Sequence, residues 1–170
     1  MFENLFDDAL TVDLEEFLSW AAPGTGRNIE VMSPERTFAT ADHNTPTINQ
    51  HLRSAGRSIR LLHRQAIVHG DLSTNNIMIT PEGHAVLIDF GLAKIEFEAE
   101  LYGIDLHVLF EILGASHPHR EGAMEAVLEG YAQCEEDLGP APTTSGGDPV
   151  SMSDVINRFD LIRTRVRYHG

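Results

Sequence analysis

Apolar residues between positions 48 and 62 fall at Ile48, Leu52, Ala55, Ile59 and Leu62, at spacings of four, three, four and three. On a helix of 3.6 residues per turn these side chains form one stripe, so the spacing predicts a core-packed helix running to about His63. Thr45-Pro46 marks its start, a capping hydroxyl followed by proline at the first helical position. The period then changes. Ile77 to Ile79 and Ala85 to Ile88 are short β-prone runs flanking Thr80-Pro81-Glu82-Gly83-His84, the pattern of a hairpin. Ile104 to Ala115 is apolar nearly all round and is expected to be a deeply buried helix. Glu121 to Tyr131 and Ser151 to Val166 predict two further helices, the second opened by a Ser151-x-x-Asp154 capping box.

The other segments carry weaker patterns. Thr11 to Trp20 sets Val12, Leu14, Phe17 and Leu18 among acidic residues, which predicts a short amphipathic helix. Residues 21–46 hold Pro23, Gly24, Gly26 and Pro34 without a period and form a loop insertion. Gly139 to Pro149, GPAPTTSGGDP, predicts a flexible loop within residues 136–150. The expected architecture is one α+β domain, mainly α, over residues 1–170, with a core at 47–135 and a C-terminal helix with a basic tail at 151–170. A length of 170 residues with 42% hydrophobic content is enough for one such core.

Charge narrows the function. A formal net charge of −14 repels phosphate backbones, which argues against broad nucleic-acid binding by this chain. Cys134 is the single cysteine, so an internal disulfide and a Cys-pair zinc site are both excluded, and a reducing compartment, cytoplasm or nucleus, is expected. Neither a signal peptide nor a membrane span is expected. His107, His117 and His119 lack acidic or Cys partners at ligand spacing.

Three segments carry chemistry together: His69-Gly70-Asp71, then Asn76, then Asp89-Phe90-Gly91 beyond the hairpin. Asn76 enters the first strand and Asp89 leaves the second, so antiparallel pairing sets both at the open end. Two oxygen-bearing side chains then face one point. Magnesium takes hard oxygen ligands and completes its shell with water and phosphates, so Asp89 as principal ligand and Asn76 as second suffice beside a nucleotide. Asp71 would orient the attacking hydroxyl or water and accept its proton. His69 is expected to be a packed, hydrogen-bonded loop residue, with Phe90 and Gly91 supporting the metal-binding turn. Asp105, at the predicted start of the apolar helix, either caps that helix or reaches across to hold the catalytic-loop backbone.

The motifs IVHGDLSTNNIMI (Ile67 to Ile79), VLIDFGLA (Val86 to Ala93), IDLHVLFEILGASHP (Ile104 to Pro118) and AVLEGY (Ala126 to Tyr131) resemble the atypical kinases of the KEOPS (EKC) complex, the Bud thirty-two or PRPK family. The resemblance covers about half the chain. It implies a protein-kinase-like C-terminal lobe, ATP and Mg2+ as cofactors, and a non-specific serine/threonine kinase or ATPase activity. It further implies support for threonylcarbamoyladenosine formation in tRNA, with the synthase of that modification and other KEOPS subunits as partners. The Arg163-x-Arg165-x-Arg167 tail is similar to the family's basic tail and implies indirect tRNA contact; an exposed basic helix end complementing its own dipole is the plainer reading. Asp105 comes sixteen positions after Asp89, too short a path for a phosphorylated activation loop of the usual kind, and Gly70 stands where typical kinases carry Arg.

Glu3-Asn4-Leu5 and the helix from Thr11 resemble the hinge between kinase lobes. Lys94 is the single lysine and follows Asp89-Phe90-Gly91, so neither a V-A-I-K-type lysine nor a Gly-rich loop precedes His69. The expectation is an N-lobe absent or truncated. Two alternatives stay open: a pseudokinase scaffold subunit, and a small-molecule phosphotransferase of the aminoglycoside or choline kinase type.

Overall fold

The computed structural model describes residues 45–80 and 83–167. The helix expected at Thr11 to Trp20, the hinge-like start and residues 21–44 lie outside the described residues. The elements are α1 (Thr45–His63), β1 (Ile67–Val68), a 3-10 turn (Thr74–Asn76), β2 (Ile77–Ile79), β3 (Ala85–Leu87), β4 (Lys94–Ile95), α2 (Ala99–Ser116), α3 (Ala123–Leu138) and α4 (Met152–Arg167). Helices dominate, and the strands form two antiparallel pairs, β1 with β4 and β2 with β3.

α1 buries its stripe as the spacing requires: Ile48, Leu52, Ala55 and Ile59 are all inside, with Leu62 packed against them. Its main partner is α3, while α2 packs on α4. The approach of α1 to α3 depends on two glycines. A Cβ built on Gly56 would lie 1.8 Å from the Val127 carbonyl oxygen, and one on Gly130 would lie 1.9 Å from that of Arg53. Along the same seam Arg53 meets Glu129, Arg57 meets Asp137, and Arg60 and Arg64 both meet Glu135.

The hairpin forms with Ile77 opposite Leu87, Met78 opposite Val86 and Ile79 opposite Ala85. β3 is tied to α1, since the Ser54 hydroxyl accepts from the Ala85 amide at 2.8 Å and the Ser58 hydroxyl donates to the Ala85 carbonyl at 2.6 Å. Short strands otherwise gain little stability alone, so this bracing explains why so small a pair persists.

Three helix boundaries differ from expectation. α2 begins at Ala99 rather than Ile104, because Tyr102 in its first turn is fully buried and its hydroxyl donates to the Glu96 carbonyl. α2 is also two-faced rather than buried all round. Leu106, Leu109 and Leu113 enter the core, whereas Ile104, Glu111 and residues 114–116 are exposed. α3 starts at Ala123 and runs past Tyr131 to Leu138, since Cys134 continues its buried face and Glu135 is bound by Arg60 of α1 and by Arg64 just beyond it. The following loop therefore starts at Gly139, whose carbonyl accepts from Arg64 at 2.5 Å, and Val150 near its other end accepts from Arg60 at 3.3 Å. α4 opens as the capping box predicts: the Ser151 hydroxyl accepts from the Asp154 amide at 3.2 Å. Among the described residues no helix is long and apolar enough to cross a membrane.

Gly130→Ala is expected to destabilise the fold by at least the ~1–3 kcal/mol typical of overpacking, because its methyl meets backbone that cannot rotate away. Gly114→Ala, where a Cβ meets nothing within 4 Å, should be neutral or stabilising by up to about 1 kcal/mol through helix propensity. Urea denaturation of the two variants beside the parent chain checks both, and equal midpoints would refute the close-crossing account.

Candidate active site

Asp105 lies in the second turn of α2 and is 2% exposed. Starting the helix at Ala99 removes the capping reading, since Asp105 is six residues inside the helix. Its carboxylate instead holds the loop after β1. Oδ2 accepts from the His69 amide at 2.7 Å, and Oδ1 accepts from the Gly70 amide at 2.9 Å. A third donor is the His63 imidazole, with Nε2 at 3.3 Å from Oδ2. A buried carboxylate is tolerated only when such donors replace water.

Gly70 has φ +83°, and a Cβ there would lie 2.5 Å from the Leu92 carbonyl oxygen. The backbone therefore needs glycine at this position, both for the left-handed conformation and for the approach of the segment after Asp89-Phe90-Gly91. His69 is fully buried. Its Nε2–H donates to the Ile88 carbonyl at 2.9 Å, and its Nδ1 accepts a long bond from the Asp71 amide at 3.4 Å. Both ring nitrogens are engaged inside the protein, so the imidazole serves as a strut. The Phe90 ring packs on it with centroids 5.0 Å apart.

Asp71 follows this strut and is exposed, while Leu72 behind it is fully buried and anchors the loop. Asn76 folds back onto Asp71: its Nδ2 donates to the Asp71 carbonyl at 2.7 Å and to the Asp71 carboxylate at 3.2 Å. With the amide nitrogen turned this way, Oδ1 of Asn76 is the atom left over for another partner. The Ile88 amide donates to the Asn76 carbonyl at 2.9 Å, extending the hairpin by one bond beyond Ile77 and Leu87. Asp89 is the next residue. It is exposed, has φ +60°, and receives a 3.4 Å bond from the Gly91 amide at Oδ1. A non-glycine residue in the left-handed region costs about 1–3 kcal/mol and recurs at functional sites. The Ile88–Asn76 bond sets Asp89 one residue beyond the chain at Asn76, and a carboxylate and an amide oxygen are the hard-oxygen donors that suit Mg2+.

Sequence reasoning passed over His63, Tyr131, Arg60 and Glu135. His63 is fully buried between Asp105 and the Tyr131 hydroxyl, which lies 2.8 Å from Nδ1. Burial drives its pKa below the usual 6.5, with the bond to Asp105 opposing in part. Burial likewise drives the Tyr131 phenol upward. Burial acts to raise the Glu135 carboxyl, but the Arg60 and Arg64 guanidiniums prevail and hold it below its ordinary value. The available signal was Arg53, Arg57, Arg60 and Arg64 recurring at the period of the apolar stripe, with His63 closing it. In the basic tail, Arg163 is committed to the fold, bonded to Asp160 at 3.1 Å and stacked against Phe110 and Phe159; Arg165 is exposed.

The lowered pKa of His63 sets a direction for acid sensitivity. Below pH 6.5 the unfolded chain protonates this imidazole while the folded chain resists, so its contribution is complete above pH 6.5 and is lost as pH falls. Unfolding free energy is expected to drop between pH 7 and pH 5 by at most about 1.4 kcal/mol per unit from this group. His63→Gln should flatten that part of the slope in denaturant titrations at the two pH values; an unchanged slope would place the acid sensitivity elsewhere.

The protein kinase domain family matches residues 28–102. Curated relatives include the EKC/KEOPS complex subunit BUD32 of Cryptococcus neoformans, 37% identical over 128 residues, covering 71% of this chain and 44% of the relative. The EKC/KEOPS complex subunit bud32 of Aspergillus clavatus is 37% identical over 99 residues, 48% of this chain and 36% of the relative. A probable bifunctional tRNA threonylcarbamoyladenosine biosynthesis protein of Methanoculleus marisnigri is 46% identical over 85 residues, 50% of this chain and 16% of the relative. The chain spans less than half the length of each of these proteins. With the helical lobe, the hairpin and the pinned loop in place, the chain is similar to the protein kinase domain over residues 28–102 and to the EKC/KEOPS Bud32 proteins.

Proposed function

We propose that the chain binds ATP with Mg2+ and transfers or hydrolyses the γ-phosphoryl group, as a serine/threonine kinase or ATPase working within a KEOPS-type complex that forms threonylcarbamoyladenosine in tRNA. The observation that carries this reading is the Asn76 side chain, whose amide nitrogen grips both the carbonyl and the carboxylate of Asp71 on a loop hung from Asp105. Asn76 Oδ1 and the Asp89 carboxylate are the atoms that would hold Mg2+. When bound, the ion supplies charge neutralisation for the phosphates.

The chain's own residues do the rest. Asp71, exposed and oriented by Asn76, directs the attacking hydroxyl or water and takes its proton. In phosphoryl transfer positioning dominates over basicity, which suits a carboxylate held by an amide. The buried side of the loop, Leu72 and His69, keeps that geometry from relaxing. Names of the relatives support the assembly and the tRNA modification; the exposed Arg165 is the described residue of the tail free to meet a partner or tRNA. Cytoplasm or nucleus follows from that role.

Thermal melts of the purified chain with and without ATP and Mg2+ test the nucleotide reading. At a ligand concentration of 100 Kd the expected stabilisation is about 2.7 kcal/mol, lost with chelator and in Asp89→Ala. No shift in the parent chain at millimolar ATP and Mg2+ counts against nucleotide binding. Asp71→Asn should keep the shift and lower turnover by roughly 10²–10⁴-fold; undiminished turnover would remove Asp71 from the chemistry. Retention of a tRNA-modifying subunit on the immobilised chain tests the assembly.

A further inference from the structure

We propose that Tyr131, on α3 and remote from Asp71 in sequence, is a positioning residue for the catalytic loop that acts by fixing the tautomer of His63. Its consequence for turnover rests on the kinase or ATPase reading; the relay itself does not.

Both oxygens of Asp105 accept N–H donors from the loop, so the ring nitrogen facing Oδ2, Nε2 of His63 at 3.3 Å, must carry a hydrogen. In a neutral imidazole Nδ1 then presents a lone pair. The group facing it is the Tyr131 hydroxyl at 2.8 Å, which donates. Tyr102 also packs on the ring, with centroids 4.7 Å apart, but its hydroxyl is spent on the Glu96 carbonyl. Tyr131 therefore supplies the donor that, with Asp105 on the other ring nitrogen, holds the Nε2–H form with neither nitrogen left unpaired in the core.

The opposite tautomer would set a nitrogen lone pair against the Asp105 carboxylate and weaken its hold on the His69 and Gly70 amides. Tyr131 is itself fixed. The Arg60 guanidinium lies over its ring at 5.4 Å from the centroid, and Arg60 is held by Glu135 at 2.8 Å and the Val150 carbonyl at 3.3 Å. A chain of contacts thus runs from the end of α3 through Tyr131, His63 and Asp105 to the backbone beside Asp71.

The test uses the full chain with 15N-labelled histidine. The parent protein should show His63 as the neutral Nε2–H tautomer; an Nδ1–H form there overturns the proposal without any variant. In Tyr131→Phe the tautomer should become mixed, and exchange of the His69 and Gly70 amides should quicken by about tenfold, the factor one lost hydrogen bond carries. Phosphoryl turnover should fall with KM for ATP unchanged. In a His63→Gln background, where no tautomer exists, adding Tyr131→Phe should leave loop exchange unaltered within about twofold. Tautomer and exchange unchanged in Tyr131→Phe, or an equal effect in the His63→Gln background, overturns it. Because tautomer and exchange need no nucleotide, a chain that fails to bind ATP leaves this test intact.

Discussion

The candidate site hangs on one buried carboxylate. Asp105 ties together three pieces of chain by hydrogen bonds: α2, the end of α1 through His63, and the loop that carries Asp71. Two of its donors are backbone amides, so no substitution of loop side chains can replace what it holds. Removing one partner of such a buried set typically costs more than the set contributes net, because the others are left without water or acceptor. The site is held by the core, and the exposed Asp71 and Asp89 are the ends of that support.

Behind Asp105 stands the α1–α3 seam. Gly56 and Gly130 let the two backbones touch, and that proximity brings Arg60 and Tyr131 into the interior beside His63, with the half-buried Glu135 bound to Arg60. Arg53, Arg57, Arg60 and Arg64 all face α3, four of the 12 Lys and Arg residues in the chain. Arg53 and Arg57 stay exposed in their ion pairs, Arg60 and Arg64 are buried, and Arg163 is drawn into packing as well. The seam therefore serves the loop and pairs four arginines with carboxylates at once.

Much of the fold was legible because it rests on local periodicity. The stripe from Ile48 to Ile59, the hairpin around residues 80–84 and the Ser151 cap are each set by neighbours within a few positions, and each formed where the pattern places it. The ends of α2 and α3 were not legible. Tyr102 begins α2 early through a bond to Glu96, and α3 continues to Leu138 because arginines 75 and 71 positions earlier in sequence reach Glu135. Propensity does not see partners that distant.

For the site, residue order alone determined which groups carry oxygen and how the hairpin offers Asn76 and Asp89 at one end, since strand register follows from turn length. Tertiary structure decided what Asp105 does, why position 70 must be glycine, and that His63 and Tyr131 belong to the same network. The reason is physical. A turn or a stripe is a property of consecutive residues, whereas a buried charge takes whatever donors the packed core brings within 3 Å or so, and sequence distance says nothing of that.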